Sequence, residues 1–150
     1  MSTTITQVDV RGPRFAAWLT SAVLTTTLLL AAVNASAAAI LLSVQAVVFA
    51  ISSARGPRSS PYGLVFATLI APHLGPVTER EPVPPLRFAQ LVGLTLAVIG
   101  VVGFATGLIV VGEVATAFAL TAAFLNAAFG ICLGCQLYPI VARLRSAPAG

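Results

Sequence analysis

Lysine is absent from this chain, histidine occurs once, and the few acidic residues lie outside or between its long apolar runs. No phosphate-binding loop, dinucleotide fingerprint or Ser/His/Asp set can be assembled. No two carboxylates are placed for acid/base work either, which argues against hydrolytic chemistry. The lone histidine, His73, sits between Pro72 and Leu74 and reads as a loop residue rather than a ligand. No carboxylate or base falls in the middle of an apolar run, which argues against a proton-coupled transporter. Only 8% of the residues are charged, a share too small for an ordinary soluble domain.

What remains is apolar: 58% of the chain is hydrophobic and the mean hydropathy is +1.00, values that belong to integral membrane proteins. Four charge-free runs stand out, at about 15–33, 37–54, 88–112 and 114–142. A helix of about 20 residues crosses a hydrocarbon core and satisfies its own backbone. The expected fold is therefore all-α, an integral membrane four-helix bundle built from two helical hairpins, forming one domain over 1–150.

The eight cationic residues, all arginine, exceed the four acidic ones to give a net charge of +4. They mark loop ends rather than one basic surface, so nucleic acid is not an expected partner. Arg11 and Arg14 precede the first run, Arg55, Arg58, Arg80 and Arg87 lie between the second and third, and Arg143 and Arg145 end the fourth. By the positive-inside tendency these segments and both termini face the cytoplasm. Arg55, Arg58, Arg80 and Arg87 then become candidates for docking a partner or anionic lipid. A cleaved signal peptide, suggested by the basic start and Ala35-Ser36-Ala37, is the competing reading of the first run, which is longer than the usual apolar stretch of such peptides.

The segment between Arg55 and Arg87 is broken by seven prolines and cannot be one helix. Within it, Tyr62 to Ala71 has the length of a short helix and reads as an interfacial one in the central cytoplasmic loop. Glu79, Arg80 and Glu81 read as solvated surface. Arg14-Phe15-Ala16 and Arg87-Phe88-Ala89 open the two halves alike, a hint of parallel duplication.

Several stretches together carry a family likeness: Arg11-Gly12-Pro13-Arg14-Phe15-Ala16, Gly56-Pro57-Arg58-Ser59-Ser60-Pro61-Tyr62-Gly63, Leu74-Gly75-Pro76, Arg87-Phe88-Ala89-Gln90, and Asn126 through Cys135 with Tyr138. In these the chain resembles the small bacterial membrane proteins grouped as domain of unknown function 4395. The resemblance implies four spans, a bacterial inner-membrane location and a cysteine pair. It also implies companionship with thioredoxin-like and sulfurtransferase proteins, but no reaction.

Chemistry centres on the only two cysteines, Cys132 and Cys135. On a regular helix their Cβ atoms would share a face about 5–6 Å apart, further than a disulfide's ~3.8 Å, so local adjustment is required, which Gly134 and Pro139 ease. Counting back from Tyr138 and Arg143 puts the pair just below the cytoplasmic interface, within reach of a soluble visitor. An apolar setting raises a thiol's pKa, and activation needs a helix terminus, an arginine or a partner's residue. Three readings stay open. The pair exchanges electrons or sulfur with a thioredoxin-like or sulfurtransferase partner, serves as small packing residues, or joins a second copy of the chain in a four-thiolate metal site. A non-catalytic anchor and a small-molecule permease remain the rival classes.

Small residues refine this arrangement. Gly103 and Gly107 in the third run, and Gly130 and Gly134 with Asn126 in the fourth, predict two stripes along which these spans meet. The cysteines would then point away from the third span, toward another span, a second copy or a lipid-soluble oxidant such as a quinone; no other cofactor is indicated. Gln45, Gln90 and Asn126 are expected to hydrogen-bond between helices, and Glu113 to cap the fourth.

Overall fold

The structure, a computed structural model, describes residues 7–146 of the chain. Six α-helices follow a short strand β1 (Gln7–Asp9): α1 (Arg11–Ala31), α2 (Ala35–Arg55), α3 (Pro61–Val65), α4 (Val83–Thr106), α5 (Ile109–Phe129) and α6 (Leu133–Ser146). Strand β2 (Arg80–Pro82) precedes α4 and pairs antiparallel with β1, Asp9 opposite Arg80.

Four of these helices, α1, α2, α4 and α5, are long and apolar enough to cross a membrane. At 1.5 Å per residue, 21 residues span about 32 Å, matching a hydrocarbon core of ~30 Å. They form a ring in which α2 packs most extensively on α4 and α1 on α5, closed by α1 against α2 and α4 against α5. The ring's interior holds Leu24, Leu42, Ala38, Ala97, Phe104 and Ala119. Its outer surface shows Ile40, Val44, Val47, Val98, Val102 and Val110, all exposed. Large apolar side chains outside and many small ones inside suit a protein solvated by lipid, so the chain is a membrane protein. Buried hydroxyls are kept satisfied by their own helices: Ser21, Thr27 and Thr116 each donate to the carbonyl four residues back, at 2.7–2.9 Å.

Local chemistry sets the ends. Asn34 caps α2, its side chain accepting from the Ala37 N–H at 3.1 Å. Pro84 and Pro85 fall in the first turn of α4, where missing N–H groups cost nothing. Gly107 ends α4 with φ 85°, and α5 starts two residues later.

Two boundaries therefore differ from the sequence reading. The turn between the third and fourth runs lies at Gly107-Leu108 rather than at Glu113, which sits exposed in the second turn of α5 and caps nothing. The fourth run, expected as one helix over 114–142, is divided, since α5 stops at Phe129 and α6 begins at Leu133. Tyr62–Ala71 is also less regular than a short helix, with α3 passing into a π turn at Phe66–Ile70 and a 3-10 turn at Ala71–His73.

All segments other than the two short turns after α1 and α4 gather at one end of the ring. The contacts that hold them there are Phe66 on Phe15, with centroids 5.9 Å apart, and the pairing of β1 with β2.

A disulfide at the break between two helices

Gly130 creates the site. Its φ of 70° is left-handed, a conformation glycine adopts without a Cβ penalty. There its N–H reaches the Asn126 carbonyl and the Ile131 N–H reaches that of Leu125, both at 3.1 Å, closing the last turn of α5. Arg14 of α1 donates to the free Ala127 carbonyl at 3.2 Å, placing a cation at the negative end of α5.

Cys132 lies in the resulting gap and Cys135 in the first turn of α6. They are joined as a disulfide with Cα atoms 5.1 Å apart. The Gln136 N–H donates to the Cys132 carbonyl at 3.0 Å, and the Cys135 N–H donates to Cys132 Sγ at 3.2 Å. Cys132 thus occupies the N-cap position of α6 with sulfur in the place of the usual capping oxygen. This corrects the picture of two thiols on one regular helix: the break supplies the adjustment that spacing alone demanded. It also supplies an activating group, because a thiolate at a helix N-terminus gains from the dipole and from the N–H aimed at it.

Two cavities meet at Cys132. One of about 410 Å³ faces the loop-rich end, with Arg58, Ser60, Tyr62 and Phe66 among its walls. The other, of about 290 Å³, lies between α1, α4, α5 and the start of α6. Cys132, Asn126, Gln90, Thr20, Ala16, Ala89 and Pro13 border both, while Cys135 borders neither. Cys132 is therefore turned toward α1 and α4, not away from the third span as the glycine pattern suggested. Behind the larger cavity the Tyr62 hydroxyl donates to Gln45 Oε1 at 2.7 Å, and the fully buried Gln45 reaches Thr20 at 3.5 Å. Burial pushes the Tyr62 phenol up. Gln90 and Asn126, expected to bridge helices, make no side-chain hydrogen bond to any described residue.

The four packing glycines divide by role. Gly103 meets α5 where a Cβ would lie 2.6 Å from the Gly112 nitrogen, and Gly134 meets α4 where one would lie 2.6 Å from the Ala89 Cα. Gly107 and Gly130 instead terminate helices, with open space around them. No continuous stripe forms, because one member of each pair is spent on a turn.

Charges ring the loop-rich end. Asp9 bonds Arg11 through its carboxylate at 2.7–3.0 Å, and that guanidinium holds the Asp9 carboxyl below the usual aspartate range. Burial raises Glu81, helped by Glu79 and opposed by Arg14. Of the arginines proposed for docking, Arg87 is engaged within the fold, donating to the Ser53 and Ala54 carbonyls at 2.8 and 2.6 Å and so capping α2. Arg55, Arg58 and Arg80 are exposed.

Among the described residues no cluster of three or more His, Cys, Asp or Glu could hold a metal ion. The break and the two cavities were missed by sequence reasoning. Their signal was Gly130 followed by two residues and a cysteine, the pattern of a C-cap and a new N-cap. A family model described as a domain of unknown function, DUF4395, matches residues 8–143. Neither a curated protein nor a solved structure matches the chain.

Proposed function

Because the chain belongs to the DUF4395 family, whose description supplies no reaction, we propose its activity from the site: thiol–disulfide exchange through Cys132 and Cys135 with a cytoplasmic thioredoxin-like protein. The observation that carries this reading is the N-cap placement of Cys132, its sulfur beside the Cys135 N–H and the residue lining a cavity. A partner thiolate attacks Cys132 Sγ, the intramolecular S–S bond breaks, and Cys135 leaves as a thiolate favoured by its place in the first turn of α6. The partner's second thiolate then attacks its own sulfur in the mixed disulfide. That step releases the Cys132 thiolate, leaving the partner oxidised and the membrane pair reduced by two electrons. A sulfurtransferase partner would use the same attack with a persulfide sulfur, but the closed pair favours electron exchange.

On this reading α1 with α2 and α4 with α5 are two hairpins crossing an inner membrane. The arginine-bearing end faces the cytoplasm, and α3 with its π turn lies in the interface. Helix α6 lies there too: Leu133, Leu137, Ile140 and Leu144 are exposed along one face, the spacing of an amphipathic surface helix.

Trapping tests the proposal. A Cys135→Ser variant whose Cys132 is first activated as the mixed disulfide with thionitrobenzoate should capture a reduced thioredoxin-like protein lacking its resolving cysteine, releasing thionitrobenzoate and forming a mixed disulfide on Cys132 that dithiothreitol cleaves, and Cys132→Ser activated in the same way should trap far less. Equal trapping by both, or by neither, would sink the exchange reading. The anchor reading has its own support in exposed Arg55, Arg58 and Arg80. It requires that a chain lacking both cysteines recruit its partner as well as the native one.

A further inference from the structure

We infer that the smaller cavity binds the ring of a membrane quinone, which takes the electrons from the reduced Cys132/Cys135 pair; this rests on the exchange reading above. The chain has only two cysteines, so a pair reduced by a partner has no second internal disulfide to pass electrons to. An external two-electron acceptor must restore it. The larger cavity opens toward the soluble partner. The smaller one borders the same cysteine from the bilayer side: its wall includes Phe118 and Leu137, 64% and 48% exposed, on the lipid-facing surface of α5 and α6.

Its lining fits a ring with carbonyl oxygens. Ala17, Phe49, Leu96 and Ala122 make most of the wall apolar. Gln90 and Asn126 line it together with Cys132, and their side-chain amides bond no described residue. Both side chains are half-buried and none of their atoms is sealed away unpaired, so a ring seated in the cavity can accept from amides that are open to it. A quinone carbonyl accepts N–H donors, and a volume of about 290 Å³ falls just under the usual ligand-site range of ~300–1,000 Å³, the size for a ring with its isoprenoid tail left in lipid. In the reaction the two S–H bonds break and the S–S bond forms. Two electrons and two protons pass to the quinone, which leaves as hydroquinone, so atoms and charge balance.

The test uses the full chain in lipid nanodiscs, reduced and freed of reductant, with short-chain ubiquinone and menaquinone analogues as probes. Hydroquinone absorbance and thiol loss are read together. One hydroquinone should appear per pair oxidised. Gln90→Leu and Asn126→Leu should each raise the half-saturating quinone concentration about tenfold, the loss expected of one hydrogen bond. Ala122→Phe, which fills the cavity from the α5 wall one turn from Asn126, should abolish the reaction. Wild-type protein that exchanges with a soluble dithiol probe yet yields no hydroquinone would overturn the quinone site and leave the exchange reading intact. Failure with both probes would remove both. Variants that keep the wild-type quinone dependence would also overturn it.

Discussion

Replacing Gly130 by alanine isolates the backbone device on which the site depends. Nothing lies within 4 Å of a Cβ built there, so a methyl group meets no neighbour and the effect is conformational. Holding an alanine at φ 70° costs about 1–2 kcal/mol. If the chain escapes that cost by continuing α5, alanine gains about 1 kcal/mol over glycine as a helical residue. Continuing the helix, however, draws Cys132 off the N-cap of α6 and parts it from Cys135. Either route lowers the stability of the native arrangement by about 1–2 kcal/mol, in the first case through strain and in the second through lost disulfide and cap. Asparagine, which tolerates the left-handed region, should cost less than alanine. The assay is denaturant or thermal unfolding of the purified protein in detergent, with intact disulfide quantified by alkylation and mass. An alanine variant as stable as wild type with its disulfide whole would refute the reasoning, as would an asparagine variant no better than alanine.

Other consequences are open to similar checks. Gly103→Val should destabilise severely, by about 3 kcal/mol or more, because its Cβ would overlap the Gly112 backbone. Gly107→Ala, with φ 85° and free space, should cost only about 1–2 kcal/mol; comparing their unfolding midpoints decides it. Tyr62→Phe strips the bond to buried Gln45 and should cost about 1–3 kcal/mol, and adding Gln45→Leu should recover part of it in a double-mutant cycle. For Asp9, whose carboxyl is held low by Arg11, the stabilisation is present above the ordinary aspartate pKa. It is lost as pH falls through the lower folded value, so Asp9→Asn should flatten the acid limb of a stability profile between about pH 5 and 2. Glu81 has the opposite sign. Its carboxyl is raised by burial, the fold favours the protonated form, and Glu81→Gln should melt no lower than wild type at pH 7.

Much of the fold was legible because lipid simplifies the pattern. Four apolar runs, arginines confined to segments at one end and glycine or asparagine at the turns mark α1, α2, α4 and α5 without tertiary information. What failed were features that depend on a single residue's conformation. Gly107 and Gly130 look the same as Gly103 and Gly134 in a spacing count, yet their positive φ turns them into helix ends. The β1/β2 pair was hidden because Gln7–Asp9 and Arg80–Pro82 are too short to show alternation and are brought together by the bundle. The cysteine pair was visible as a candidate, and the need for a helix terminus was stated by its chemistry. That Gly130 provides one, and that Gln90 and Asn126 flank it, required coordinates.

The most direct measurement is site-resolved alkylation of the reduced protein as a function of pH. Cys132, at the N-cap with the Cys135 N–H directed at its sulfur, should titrate below the ordinary thiol value of about 8.5 and react first, with Cys135 following at higher pH. Cysteines that titrate together at or above that value, or a Cys135 that reacts first, would contradict the account.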